Sequence, residues 1–227
     1  FRLGVRAEHS SLLGELNLAP RTSMAFKTGK NSQVSLAYGY FYQKPEDDFL
    51  LEYENLDFEN ATHLIVNYQW IHQGQSFRIE AYDKQYQSLV KVEAGNVLTN
   101  NGEGFSRGID VFWKDEKTFD GLDYWISYSY IDAERDYKDY PVAATPTFIT
   151  DHTLNLVANY EITHLGLNPG LTYTYASGRR YFNPNSEAFL SDQTKAYHNL
   201  SFNLSYPTEI FNNFAVLYAS LSNPFGF

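Results

Sequence analysis

The sequence predicts an all-β fold: an antiparallel up-and-down transmembrane β-barrel, incomplete, with about eleven strands of a larger barrel. Three observations carry this expectation. Apolar and polar residues alternate with a period of two along nearly the whole chain, which is the signature of strands with one face in each environment. The alternating runs are about ten to thirteen residues long, twice the usual length of a globular strand. The connectors between them alternate, long then short, over most of the 227 residues. In an up-and-down meander every second connector falls at the same end of the sheet, so long loops gather at one end and tight turns at the other, as in outer-membrane barrels.

Taken in order, the expected strands are about 1–9, 17–27, 32–42, 61–72, 75–86, 104–115, 122–132, 151–162, 167–177, 195–207 and 214–222. In the third, Val34, Leu36, Tyr38, Tyr40 and Tyr42 share a face opposite Ser35, Ala37, Gly39 and Phe41. In the fourth, Leu64, Val66, Tyr68 and Trp70 oppose Ile65, Asn67 and Gln69, and in the fifth Phe77, Ile79 and Ala81 oppose Arg78, Glu80, Tyr82 and Lys84. The sixth sets Ile109, Val111 and Trp113 against Gly108, Asp110, Phe112 and Lys114. The same alternation runs through Tyr124–Tyr130, Leu154–Tyr160, Leu171–Tyr175 and Leu200–Tyr206. Eleven residues at ~3.3 Å each, tilted ~45°, rise about 25 Å, the height of an outer-membrane apolar band. Tight breaks are expected at 28–31, 72–75, 118–121, 164–166 and near 212–213, and wide polar gaps at 43–60, 87–103, 133–150 and 178–194. No helix of consequence is expected, and the strand rhythm runs from end to end as a single β-barrel segment, 1–227. Phe49–Leu51 and Leu56 in the widest gap predict that it folds back on the wall or on its neighbours.

The alternation does not by itself say which face is wet. In a soluble barrel the apolar face points inward; in a membrane barrel it points to lipid and the polar face lines the interior. The tyrosines decide the expectation. Tyr38, Tyr40, Tyr42, Tyr128, Tyr130, Tyr173 and Tyr175 sit at the long-loop ends of their strands, where an interfacial girdle would lie. Aromatic residues make 17% of the chain. Mean hydropathy is −0.43, which argues nothing against a membrane strand, because its two faces average out. No apolar run approaches the ~18 residues of a membrane helix.

Formal net charge is −10, and the acids crowd the wide gaps, so a nucleic-acid partner is set aside. There is no cysteine, hence no disulfide and no thiolate metal site. The six histidines form no H-x-x-x-H or H-E-x-x-H pattern, no G-x-S-x-G elbow appears, and no enzyme, cofactor or metal site is expected. Asp47, Asp48, Glu52 and Glu54 lack the calcium-loop spacing and read as a solvated loop. The residues assigned to ligand contact are Arg179, Arg180 and Tyr181 in the last wide gap, with Asp47 and Asp48 in the first. Arg78, Glu80, Lys84, Asp110 and Lys114 are assigned to the lumen, as an ion-pair network bracing the wall.

Several stretches, in order along the chain, resemble the barrel of TonB-dependent outer-membrane receptors. Val34–Pro45 is similar to a strand entering an extracellular loop of those receptors, and Leu18–Arg21 to their proline–arginine entry into a strand. Glu80–Tyr86, Gly102–Gly104 with Arg107–Asp110, Gly178–Phe182, Tyr197–Leu200 and Ser222–Gly226 resemble later steps. The resemblance implies a barrel of about twenty-two strands with a plugged lumen, of which the plug domain and final strands are expected to be absent here, with Phe227 a truncation point. It implies location in the bacterial outer membrane in contact with its lipid. It also implies import of a scarce small-molecule or glycan ligand, such as an iron chelate or vitamin, bound at extracellular loops and driven by TonB through the missing plug part. The alternatives are a passive porin-type channel and a soluble secreted β-rich domain that binds carbohydrate.

Overall fold

In the computed structural model, which describes residues 1–52 and 56–226, eleven strands form one antiparallel sheet. In chain order they are β1 (Arg2–Ser10), β2 (Glu15–Lys27), β3 (Ser32–Gln43), β4 (Glu59–His72), β5 (Gln75–Glu93), β6 (Val97–Asp115), β7 (Leu122–Asp136), β8 (His152–Tyr160), β9 (Asn168–Ala176), and then β12 (Tyr197–Ile210) and β13 (Asn213–Ser222). A short two-stranded ribbon, β10 (Arg180–Tyr181) and β11 (Asp192–Gln193), lies between β9 and β12. Each strand of the large sheet pairs with its sequence neighbour, and β1 and β13 stand at its two ends without pairing to each other.

The register aligns the alternation of every strand into common rows. One row reads Phe26, Val34, Tyr68, Ile79, Val111, Tyr128, Leu154, Tyr175 and His198. The row beneath the opposite face reads Gln69, Arg78, Phe112, Ser127, Asn155, Thr174 and Asn199. A slip of one residue in any strand would carry its apolar set to the wrong face, so the pattern fixes the pairing.

Exposure is inverted relative to a water-soluble sheet. Leu64 and Val66 are each 43% exposed and Leu204 40%, whereas their polar neighbours Asn67, Asn203 and Ser205 are only half-exposed. The polar face is instead the crowded one. A Cβ on Gly108 would lie 2.6 Å from the Tyr82 hydroxyl and 2.2 Å from the Tyr130 carbonyl oxygen, and one on Gly170 would meet Asn159 and Asn203 at 2.6 Å. Neighbouring side chains on that face lean over those glycines.

Aromatic belts bound the apolar face. Toward the long loops, Tyr128 shares a hydrogen bond with His152 Nδ1 (2.9 Å) and Tyr173 with His198 Nδ1 (2.9 Å). Tyr38 and Tyr40 also lie there, edge to face. Toward the short turns, Trp70 and Trp113 stack at 6.3 Å, and Trp113 Nε1 donates to the Tyr124 hydroxyl at 3.2 Å. The sequence reading found the first belt and missed the second. Below it, Asp115 closes the turn after β6 by accepting from the backbone N–H groups of Lys117 (2.8 Å) and Thr118 (2.9 Å) and from Gln75 Nε2 (3.1 Å).

Three expectations are corrected. A helix, α1 (Asp47–Glu52), occupies part of the first wide gap. The gap at 87–103 is not a loop: β5 and β6 run on to a tight turn at 94–96, forming a long arm beyond the sheet. The register shifts between Tyr86 and Lys91 break the period of two, with the sequence neighbours Leu89 and Val90 both buried, and that hid the strands. The ion-pair network is also absent. The register sets Arg78 beside Gln69 and Phe112, Lys84 beside His63 and Ser106, and Glu80 directly opposite another acid, Asp110. Among the described residues none of the five assigned charges pairs with another: Lys114 pairs with Glu116, Glu80 accepts from Asn67 Nδ2 at 3.3 Å, and Lys84 lies over the Tyr82 ring at 4.8 Å.

The crowding at Gly108 yields a test. Gly108→Ala forces the Tyr82 ring and the β7 backbone to move, and an overpacking cost of roughly 1–3 kcal/mol is expected. Urea unfolding in detergent, followed by tryptophan fluorescence, measures it; an unchanged midpoint contradicts the packing described.

Candidate functional site at the long-loop end

The most buried apolar side chains of the described residues lie mainly above the sheet, not across it. Leu56, Phe58, Leu89, Val90 and Leu190 are buried, with Pro45 and Pro146, where the wide connectors meet the β5–β6 arm. Asn100 on the arm fastens the segment before β4: its Oδ1 accepts from Asp57 N (2.8 Å) and its Nδ2 donates to Asp57 O (3.2 Å) and Ser88 O (2.9 Å). Leu56 and Phe58 flank that clamp, so the expectation that the first gap folds back holds for them; Leu51 remains exposed.

A pair of register shifts between Tyr86 and Lys91 bends β5 inward. Ser88 takes a left-handed backbone there (φ 55°), the local twist that bulges carry. The bend turns the Val90 N–H toward Glu59, whose Oε1 accepts it at 3.1 Å. Gly102 permits the approach, since a Cβ would sit 2.6 Å from the Leu89 carbonyl oxygen.

On the polar face just below, one row runs Phe41, Ala61, Tyr86, Gly104 and Arg135. Arg135 reaches across Gly104 and lays its guanidinium 4.4 Å from the Tyr86 ring centre, with Tyr137 at 5.4 Å and Phe148 at 5.7 Å. A Cβ on Gly104 would lie 2.8 Å from Arg135 Cγ; glycine is what leaves the path open. Arg21 lies over Phe41 at 4.2 Å, and Phe41 stacks on His63 at 4.2 Å.

These residues line a cavity of about 490 Å³ bounded by Phe41, Glu46, Glu59, Tyr86, Arg135 and Lys138. Lys138 ties its rim together. Its Nζ pairs with Glu46 Oε1 at 2.9 Å, its N–H donates to Val90 O (2.6 Å), and its carbonyl accepts from Val92 N (2.7 Å). The bond to Glu46 holds the lysine above its ordinary pKa. Burial pushes the Glu59 carboxyl above its ordinary value, against the Val90 N–H. Beyond the rim, Tyr140 packs edge to face on Tyr137 and on Phe189, each at 4.9 Å, joining the last two wide loops. Burial pushes its hydroxyl up to about 12. Two cations set against aromatic faces can hold an anionic or ring-bearing solute.

The residues assigned from sequence lie on the same end but outside this cavity. Arg179 Nε donates to Thr150 Oγ1 (3.0 Å), Arg180 Nη1 donates to Ser191 O (3.1 Å), and Tyr181 is exposed on the β10–β11 ribbon. Asp47 pairs with Lys44 at the start of α1, and Asp48 is exposed beside it. From that acidic stretch the cavity takes Glu46, one position earlier. Sequence reasoning missed Arg135, Glu59 and Lys138 because only the pairing register brings them together; the one signal present was the Gly102-x-Gly104 step.

A family-level profile described as TonB dependent receptor-like, beta-barrel matches residues 1–223. A search of curated proteins returns no significant match. Among solved structures the fold is similar to the ferric-catecholate import receptor Fiu of E. coli K12, with a TM-score of 0.76 at 12% identity, over 93% of this chain and 31% of that one. It is similar to the ferric citrate transporter FecA, with a TM-score of 0.78 at 12% identity, over 95% and 35%. A variant of the ferric enterobactin receptor PfeA of Pseudomonas aeruginosa gives 0.74 at 13% identity, over 98% and 36%. The chain thus covers little more than a third of each of these proteins at most. With eleven strands in meander order and a profile match over nearly all of its length, this chain belongs to the TonB-dependent receptor β-barrel family.

Proposed function

We propose that the chain is one barrel segment of an outer-membrane import receptor whose remaining strands and plug lie elsewhere in a longer protein. The apolar face contacts outer-membrane lipid, the polar face lines the lumen, and the long-loop end faces the exterior. A scarce small-molecule or glycan ligand is held at that end and passes inward with energy supplied by TonB acting through the plug. Arg78, Glu80, Lys84, Asp110 and Lys114 then point into the lumen. Arg179, Arg180, Tyr181, Asp47 and Asp48 form an outer ring of first contact above the cavity.

The observation that carries this reading is the Arg135 row. A guanidinium is held over Tyr86 by a glycine that leaves it room, at the mouth of the polar face, with Arg21 on Phe41 one step away. Fixing an arginine this way orders a long side chain in advance of any ligand, which lowers the cost of binding. The family supports transport rather than catalysis. The relatives named above are described as handling ferric catecholate, ferric citrate and ferric enterobactin, and an iron chelate can set its anionic groups against Arg135 and its rings against the aromatic side chains of the lining.

In the intact receptor, Arg135→Ala is expected to weaken binding of a ferric tris-catecholate probe by ~10–100-fold, the value of one charge-assisted contact. Arg179→Ala and Arg180→Ala together are expected to cost less than tenfold, because the Arg179 side chain already bonds Thr150 before β8 and that of Arg180 bonds Ser191 beside the ribbon. Equilibrium binding by quenching of tryptophan fluorescence reads both. Unchanged affinity in Arg135→Ala contradicts the assignment of the cavity.

A further inference from the structure

The cavity is lined by opposed charges. Arg135 and Lys138 contribute two positive charges, and Glu46 and Glu59 two negative ones. The two acids differ in situation. Glu46 is exposed, sits on the first wide connector and is neutralised by Lys138 at 2.9 Å. Glu59 is half-buried at the first residue of β4, above the level of the tyrosine belt, and makes no ion pair within 4 Å among the described residues. Its hydrogen bond is to a backbone N–H, that of the buried Val90. A carboxylate in this position costs stability unless something is gained from it, because burial without a counter-ion disfavours the charged form.

The position is fixed by construction. The bulge in β5 carries the Val90 N–H to it, Gly102 makes room for the bulge, and the Asn100 clamp anchors Asp57 two residues before it. The groups that face Glu59 are few. Glu46 repels it from the first connector, while Arg135 on β7 and Lys138 just beyond β7 attract it. Tyr42, His63, Tyr86 and Tyr137 are the other titratable groups of the cavity lining.

We infer that Glu59 sets the charge of the ligand this cavity accepts: ionised, it repels strongly anionic chelates and favours those of low net charge, and protonated, it admits the anionic ones. The inference rests on the proposed receptor function and deepens it. An anion entering beside Arg135 and Lys138 meets Glu59 at close range in a half-dry site, where a like charge costs far more than in water. Binding of an anion and protonation of Glu59 therefore favour each other, by the same factor in each direction. The direction with pH follows. Burial already holds the Glu59 carboxyl above its usual value, so lowering the pH from neutrality neutralises it before exposed carboxylates, and anion affinity rises as it does.

The test uses the intact receptor and two iron complexes, a trianionic ferric tris-catecholate and an uncharged ferric trihydroxamate. Glu59→Gln keeps an oxygen to accept from Val90 N–H and removes only the charge. At pH 7.5 it is expected to tighten the trianionic complex about tenfold, the effect of one unit of protonation free energy, while changing the uncharged complex less than twofold. At pH 5.5 the ratio of the two affinities for the trianion is expected to lie closer to one than at pH 7.5, because burial raises the Glu59 carboxyl. Taking the ratio of the two proteins at each pH cancels protonation of the chelate itself. If both complexes bind and the ratio is one at both pH values, Glu59 does not select by charge and the inference is overturned while the receptor reading stands. If neither complex binds either protein, both are overturned. If Glu59→Gln weakens both complexes alike, Glu59 only supports the loop structure, and the inference is again overturned.

Discussion

The structure depends on one constraint: every strand must present its apolar set to the same side in register with its neighbours. Backbone groups pair across the sheet whichever face is greasy, so the hydrogen bonds do not choose the environment; the side chains do. The row from Phe26 through Tyr68, Val111 and Leu154 to His198 is apolar or aromatic across nine strands up to its end at the girdle histidine. Its exposed position is stable only against a medium without water, since a continuous apolar patch of that extent on a soluble protein would associate. The opposite, polar face is the crowded one, and the close approaches on it need glycine at Gly104, Gly108 and Gly170.

That inversion moves the packing problem to the loops. A wall one strand thick has no interior, so the burial that stabilises an ordinary domain is found instead at the long-loop end, around Leu56, Phe58, Leu89, Val90 and Leu190. Those residues brace the rim of the cavity. The fold and the site are linked there: the β5 bulge that buries Val90 also delivers its N–H to Glu59, and the end of β7 that places Arg135 on Tyr86 leads directly to Lys138 on Glu46.

Much of the wall was legible in the sequence, because a period of two and a run of ten or more residues leave little else for the chain to form. The strands around Val34–Tyr42, Leu64–Trp70 and Tyr124–Tyr130 emerge where alternation places them. The β5–β6 arm was not legible. Its residues from Gln87 to Gly102 contain the register shifts around Leu89, where Leu89 and Val90 are both buried, and a strand that breaks the period of two looks like loop. The ion pairs among Arg78, Glu80, Lys84 and Asp110 failed for a different reason. Composition put opposite charges on one face, but register set Glu80 against Asp110, and register is a property of two strands rather than one. The cavity lay outside reach on the same ground, since Glu59, Tyr86 and Arg135 are separated widely in sequence and meet only through three pairings. The arginines at Arg179 and Arg180 drew attention because they are adjacent; in the structure Arg179 bonds Thr150 before β8 and Arg180 bonds Ser191 beside the ribbon.

The central claim is the sign of the two faces, and adjacent residues on one strand test it. Leu156 belongs to the apolar face and Asn155 to the polar one. Nitroxide labels at single cysteines placed at these two positions, in the receptor reconstituted in bilayers, report collision rates with oxygen and with a water-soluble nickel chelate. The account predicts that the label at position 156 is relaxed mainly by oxygen and the label at 155 mainly by the nickel complex. The reverse, or equal access of the nickel complex to both, would contradict it.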